Sequence, residues 1–303
     1  NKRIPQLWIV FVPDGLSSCE PLSVHVFFGP APREEQAASP YPYGSEWCKR
    51  ANNYLTNIGK KLLHQRAAST KKCLFVFPLP RPYTTKKEDP AAIYGDLKQA
   101  TELRRHLRQL VCWLSLRINV DLTITQCTIS GFSDAGEHAL LPIMNSSRRN
   151  EFPELMEVYA LDAVNKNTEG GPGVSEFAHA VQRWVSGRAS RIVRMYTSIP
   201  RVAADGMRPE LFSGPPTRTN AEAKEWHVAQ GTFVYTPPEF WNRIFEGQEE
   251  KNQYIYKHPF PHQLMPCVFL QHALQNSSVP RSHTHRYRHH NRRRYPAKRN
   301  LAF

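Results

Sequence analysis

Five runs rich in β-branched and apolar residues, at 73–79, 122–129, 155–161, 191–199 and 228–235, are separated by stretches with helical spacing. Between the first two, Leu103, Leu107, Leu110 and Leu114 recur on one helical face. Residues 135–144, 174–185 (closed by Gly187) and 262–275 carry the helical patterns that follow. A strand followed by a helix long enough to cross back over a sheet feeds parallel pairing, so this alternation predicts a doubly wound α/β fold covered on both faces. A segment at 203–223 interrupts the alternation with Pro209, Gly214, Pro215 and Pro216 and reads as a lid or an irregular excursion.

The N-terminal end has a different rhythm. Apolar runs at 7–12 and 22–28 flank Pro13-Asp14-Gly15, which is turn chemistry, so an antiparallel strand pair is predicted at one edge of the sheet. In the second run Val24, Val26 and Phe28 alternate with Ser23, His25 and Phe27. Residues 29–43, rich in Pro and small side chains, predict a surface loop, and 46–65 a helix.

The segment with the most chemical content is 123–136, where a β-rich run passes directly into Gly131-Phe132-Ser133-Asp134-Ala135-Gly136 and then into a helical pattern. A residue at the apex of a strand–turn–helix bend is held in a strained backbone conformation and needs small neighbours two positions away on either side. Gly131 and Ala135 meet that need around Ser133, and Gly136 thins the wall of the helix behind it. The start of that helix turns backbone N–H groups toward any anion formed beside Ser133.

On these residues the chain resembles the α/β-hydrolase superfamily, the esterases and lipases, in the order of elements over 7–276. The resemblance implies a mostly parallel sheet of the α/β-hydrolase type with an antiparallel N-terminal strand pair. It also implies a Ser-His-Asp triad with Ser133 as nucleophile, and no metal or organic cofactor. In the superfamily order the acid and then the histidine follow the nucleophile on later loops. Asp162, at the end of the next strand, is the first candidate acid, as in pancreatic-type lipases; Asp205, beyond the strand near Ile199, is the alternative. Among 13 histidines, His262, where a loop enters the last helical pattern, is the candidate base, with His258, His272 and His227 as rivals. The oxyanion would be held by backbone N–H groups of Asp134 and of Phe28 or Gly29, since Pro30 has none. Ala135 stands where Gly is more usual, and Asp134 sets a carboxylate beside an oxyanion donor.

Charge divides the chain in two. Eight of the 40 Lys and Arg residues, and none of the 26 Asp and Glu, lie in 281–303. This stretch holds Arg292, Arg293, Arg294, Lys298 and Arg299 with Tyr287 and Tyr295, and has no apolar periodicity. It predicts a disordered basic tail after a domain at 1–280, suited to RNA or another polyanion, since Arg and Lys neutralise phosphates and tyrosines stack on bases. An acidic protein surface or anionic lipid is the competing partner. The six cysteines include no Cys-x-x-Cys pair, and Cys73, Cys112, Cys127 and Cys267 lie in apolar runs, which predicts buried thiols in a reduced, intracellular chain without a zinc site. No apolar run of about 18 residues exists to span a membrane. The start at Asn1 rather than Met is expected of a processed piece of something longer. The sequence thus predicts a serine hydrolase for an ester or related acyl substrate. The alternative is a catalytically silent hydrolase-fold module serving a structural or interaction role, for example in a viral or other nucleoprotein assembly.

Overall fold

The computed structural model describes residues 8–18, 21–30, 55, 62–79, 94–147, 151–163, 174–205, 207–220, 222–244 and 260–279. Most of the expected loop at 29–43, most of the expected helix at 46–65 and the basic tail at 281–303 lie outside them. Among the described residues nine strands form one sheet in the order β1-β3-β2-β4-β5-β6-β9-β8-β7. They are β1 (Trp8–Phe11), β2 (Pro21–Phe28), β3 (Leu74–Pro78), β4 (Thr123–Phe132), β5 (Leu155–Leu161), β6 (Ile192–Thr197), β7 (Arg218–Asn220), β8 (Ala223–Val228) and β9 (Gly231–Tyr235). The helices are α1 (Leu62–Ala68), α2 (Ala100–Ile118), α3 (Leu141–Ser146), α4 (Val174–Ser186), α5 (Pro200–Ala203), α6 (Pro238–Ile244) and α7 (Phe260–Gln275).

Strands β3, β2, β4, β5, β6 and β9 are mutually parallel, and antiparallel strands close both edges. Side chains leave each strand alternately toward two cores. Val24, Val26, Phe28, Ile129, Val158 and Val193 meet α2, α3 and α4 on one face. Phe27, Phe75, Phe132, Tyr159 and Tyr196 meet α1 and α7 on the other. This is a doubly wound, mostly parallel sheet of the α/β-hydrolase type, with an antiparallel strand at its N-terminal edge.

The partner of that edge strand differs from the expectation. Strand β1 pairs antiparallel with β3, not with β2. Strand β2 lies inside the sheet, parallel to both β3 and β4, and seven of its eight residues are buried. A near-continuous apolar run is what a central parallel strand requires on its two covered faces. The run expected at 228–235 is instead the second half of a hairpin, with Val228 ending β8 and β9 beginning at Gly231. The excursion at 203–223 packs onto the body: Phe212 is buried against Phe233, and the Arg208 guanidinium lies 4.3 Å from the centre of the Trp226 ring. Cys73 and Cys127 are buried as expected, but Cys112 is exposed on α2 and Cys267 half-buried. On α2 the buried stripe runs Leu103, Leu107, Val111 and Leu114, which turns its neighbour Cys112 outward. No helix among the described residues is long and apolar enough to cross a membrane.

His25 is fully buried on the α7 face, with Nε2 2.7 Å from Ser130 Oγ. Burial, helped by the nearby Arg66 charge, lowers its pKa to about 3. The unfolded chain therefore takes up a proton near pH 6.5 that the folded chain refuses, and the stability present above pH 6.5 is lost as pH falls toward 3. Urea unfolding between pH 6.5 and 4 should show His25→Asn losing about 1.4 kcal/mol less per pH unit than the parent. Equal slopes would contradict a buried neutral imidazole.

Candidate active site

The crossing pattern of the sheet determines where a site can form. From β2 the chain moves outward to β3, whereas from β4 it moves the other way to β5, so the order reverses between β2 and β4. Loops leaving neighbouring strands in opposite directions open a crevice at their carboxyl ends. Strand β4 ends there at Phe132, and Phe28 at the end of β2 lies opposite Gly131.

Ser133 follows immediately with φ +60°, a left-handed conformation seldom adopted by a residue with a Cβ. Its neighbours allow the bend. A Cβ on Gly131 would lie 2.8 Å from Leu140 Cγ, Ala135 is fully buried, and a Cβ on Gly136 would lie 1.3 Å from the carbonyl oxygen of Ala163. The helix behind the bend opens as a π turn, Gly136–Leu140, in which the N–H of Leu141 reaches the carbonyl of Gly136. Pro142 has no N–H for the carbonyl of His138, so the ordinary ladder is already broken there and a wider turn costs little.

Asp162 directly follows β5 with φ +47°, its N–H donating to the carbonyl of Tyr196 at 2.7 Å. Its side chain is buried and every oxygen is engaged. Oδ1 accepts from the Ser198 N–H at 2.7 Å and the Thr197 hydroxyl at 3.0 Å. Oδ2 accepts from the Ser198 hydroxyl at 2.5 Å and faces His262 Nδ1 at 3.2 Å. A carboxylate oxygen only accepts, so Nδ1 carries the imidazole proton and Nε2 is left with its lone pair. That Nε2 stands 2.9 Å from Ser133 Oγ, the distance at which the hydroxyl donates to it. The imidazole also lies against the Phe132 ring, with centroids 4.8 Å apart, and its side chain keeps 21% exposure.

The structure thus brings Ser133, His262 and Asp162 into one hydrogen-bonded line. His262 lies in the first turn of α7 rather than on a preceding loop. Asp205 takes no part: its carboxylate is 85% exposed and paired with Arg208 at 3.1 Å. At the end of β6, Thr197 and the following Ser198 instead bond to Asp162. Of the rival histidines, His227 pairs with Glu225 at 2.7 Å, His272 lies 2.9 Å from the Tyr196 hydroxyl, and His258 falls outside the described residues. Phe28 is buried against Tyr94, whose hydroxyl donates to the carbonyl of Gly29. Asp134 is half-buried, and its carbonyl receives the N–H groups of Glu137 and His138. Burial, followed by the charges of Asp134 and Glu176, raises the pKa of Glu137. Among the described residues no group of three His, Cys, Asp or Glu side chains could hold a metal ion.

The chain is similar to two solved esterases. One is an acetyl xylan esterase from Aspergillus awamori, at 11% identity and a TM-score of 0.39, covering 76% of this chain and 87% of that one. The other is an esterase from Pyrobaculum calidifontis, at 13% identity and a TM-score of 0.39, covering 84% of this chain and 83% of that one. No family model matches the sequence, and no curated protein matches it.

Sequence reasoning missed the residues that brace the acid. Thr197 ends a strand and Ser198 follows it, as hydroxyl residues do at many strand ends, and nothing local marks them as partners of a carboxylate 35 and 36 positions away. Phe132 was in view only as a member of the bend.

Proposed function

We propose that the protein is a serine hydrolase acting on an ester or related acyl substrate, with Ser133, His262 and Asp162 as its triad. The observation that carries this is the unbroken line from Ser133 Oγ through the imidazole to Asp162, set at the crevice between β2 and β4. Ser133 Oγ attacks the acyl carbonyl while His262 Nε2 takes its proton, and Asp162 holds the imidazolium that results. The oxyanion settles on the backbone N–H groups of Asp134 and of Phe28 or Gly29. The tetrahedral species collapses as His262 returns the proton to the departing alcohol oxygen, leaving an acyl group on Ser133. Water, deprotonated by His262, then releases the acid and restores the hydroxyl.

A fluorophosphonate probe tests this directly, because it phosphonylates only a serine already activated by its base. Peptide mapping should place the adduct on Ser133 alone, with loss of p-nitrophenyl ester hydrolysis in proportion to labelling. An unlabelled, correctly folded protein favours the catalytically silent module instead.

In the same proposal the domain at 1–280 carries a tail at 281–303 that holds RNA or a similar polyanion through Arg292, Arg293, Arg294, Lys298 and Arg299. Residues 277–279, just before it, are tied to the body by Lys71 and Glu157. Removing 281–303 should therefore leave thermal stability intact while abolishing salt-sensitive retention on RNA; retention by the shortened chain would count against the tail.

A further inference from the structure

The turn that carries His262 is weakly tied to its own helix. Pro266 lies inside α7, and its ring nitrogen has no hydrogen to give the carbonyl of His262, four residues earlier. The first turn of α7 therefore loses a rung of its ladder at the residue whose imidazole must meet both Ser133 and Asp162. A helix opened this way can bend at the proline, and its direction then depends on what holds the helix on either side of the gap.

The side chain that holds the helix just past this gap is Gln65. This α1 side chain is 6% exposed, and its amide is spliced into the α7 backbone just beyond the proline. Its Nε2 donates to the carbonyl of Pro266 at 2.7 Å, and its Oε1 accepts from the N–H of Gln271 at 3.0 Å. Carbonyl and N–H five residues apart are joined through a side chain from another element, while Leu62, Met265 and Leu270 pack in the same apolar cluster. A buried amide that satisfies one donor and one acceptor of a foreign helix fixes both the depth and the direction of that helix.

We propose that Gln65 is a positioning residue for the triad: by bridging Pro266 and Gln271 it sets the angle at which the first turn of α7 presents His262 to Ser133 and Asp162. This inference rests on the hydrolase reading for its consequence in catalysis, but the placement of the imidazole does not. Lys71 provides a contrast. Its ammonium ties down the other end of α7 through the carbonyls of Ser277 and Val279, each at 2.7 Å, far along the chain from His262. Loss of that anchor weakens the fold without altering the first turn.

The experiment compares Gln65→Met, which matches the side chain in size but makes neither hydrogen bond to Pro266 and Gln271, with Lys71→Met in the full chain. The fluorophosphonate labelling rate is measured per folded molecule, alongside the melting temperature. The His262 Nδ1–H resonance is read in ¹⁵N-histidine-labelled protein, assigned by its absence in His262→Gln. Gln65→Met should label 10- to 100-fold more slowly, the loss typical of a displacement on the order of 1 Å, and its Nδ1–H resonance should broaden or vanish. Lys71→Met should melt earlier yet label at the parental rate with the resonance intact. Labelling of Gln65→Met at the parental rate overturns the proposal, and so does equal slowing in both variants, since lost stability would then account for it. A parental protein that shows the resonance but takes no label would sink the hydrolase reading alone. Disappearance of that resonance in Gln65→Met would still support the positioning role, and its persistence would overturn it.

Discussion

Asparagine in place of Asp162 should leave a folded protein whose kcat for ester hydrolysis is lower by about 10⁴-fold. Size is unchanged, so the cause is hydrogen-bond polarity. The Ser198 N–H and the Thr197 hydroxyl both point at Oδ1, and the backbone N–H can only donate, so the amide oxygen must occupy that position. The amide NH₂ then falls where Oδ2 stood, facing the Ser198 hydroxyl and His262 Nδ1. The hydroxyl can rotate to accept. The imidazole can accept only by moving its proton to Nε2, the nitrogen that receives the proton of Ser133 in the proposed reaction. The ring stays in place with the wrong tautomer. Because the defect lies in the proton transfer rather than in binding, kcat should fall with KM little changed. Fluorophosphonate labelling of Ser133 should slow in parallel. A variant within tenfold of the parent would mean that Asp162 is only a structural carboxylate closing the turn after β5.

The bend at Ser133 was legible because its demands are local. A residue at φ +60° needs small flanking side chains, and those lie within the same short stretch of sequence as Ser133. Asp162 was legible for a related reason, as the first carboxylate past the end of a strand adjacent to β4. His262 was one histidine of 13, chosen by chain order rather than by any property of its neighbourhood. Nothing in the sequence could show that α7 would begin two residues before it or that Phe132 would pack against its ring. Strand pairing was harder still. The Pro13-Asp14-Gly15 turn suggested that β1 would fold back on β2, but the apolar content of β2 gained more from a central place between β3 and β4. The β7–β8 hairpin escaped notice because β7 has three exposed residues and no apolar alternation. Braces such as Thr197, Ser198 and Gln65 act across separations of 35 to 206 residues, and only folding brings them into contact.

Alanine at Gly136 should damage the site as badly as a change to the triad's surroundings can, although it touches no reacting atom. In an isolated helix the substitution stabilises by about 1 kcal/mol, because glycine has more backbone freedom to lose on folding. Here the added methyl would sit 1.3 Å from the carbonyl oxygen of Ala163 and 2.4 Å from its carbon. Those are backbone atoms of the residue after Asp162, not the tip of a side chain that can swing aside. Either the helix behind Ser133 retreats or the acid turn is pushed outward, and each movement lengthens the line of hydrogen bonds through His262. Overpacking of this kind typically costs about 1–3 kcal/mol, which outweighs the helical gain, so Gly136→Ala should melt below the parent. A shift on the order of 1 Å in one member of the triad costs about 100-fold in kcat/KM. The discriminating control is Gly131→Ala, whose methyl meets the branched end of Leu140 rather than main chain. That side chain can yield by rotation, so Gly131→Ala should retain more activity than Gly136→Ala. If Gly136→Ala were as active and as stable as the parent, the nucleophile and acid turns could not be in the contact described, and the alignment of the triad would need another explanation.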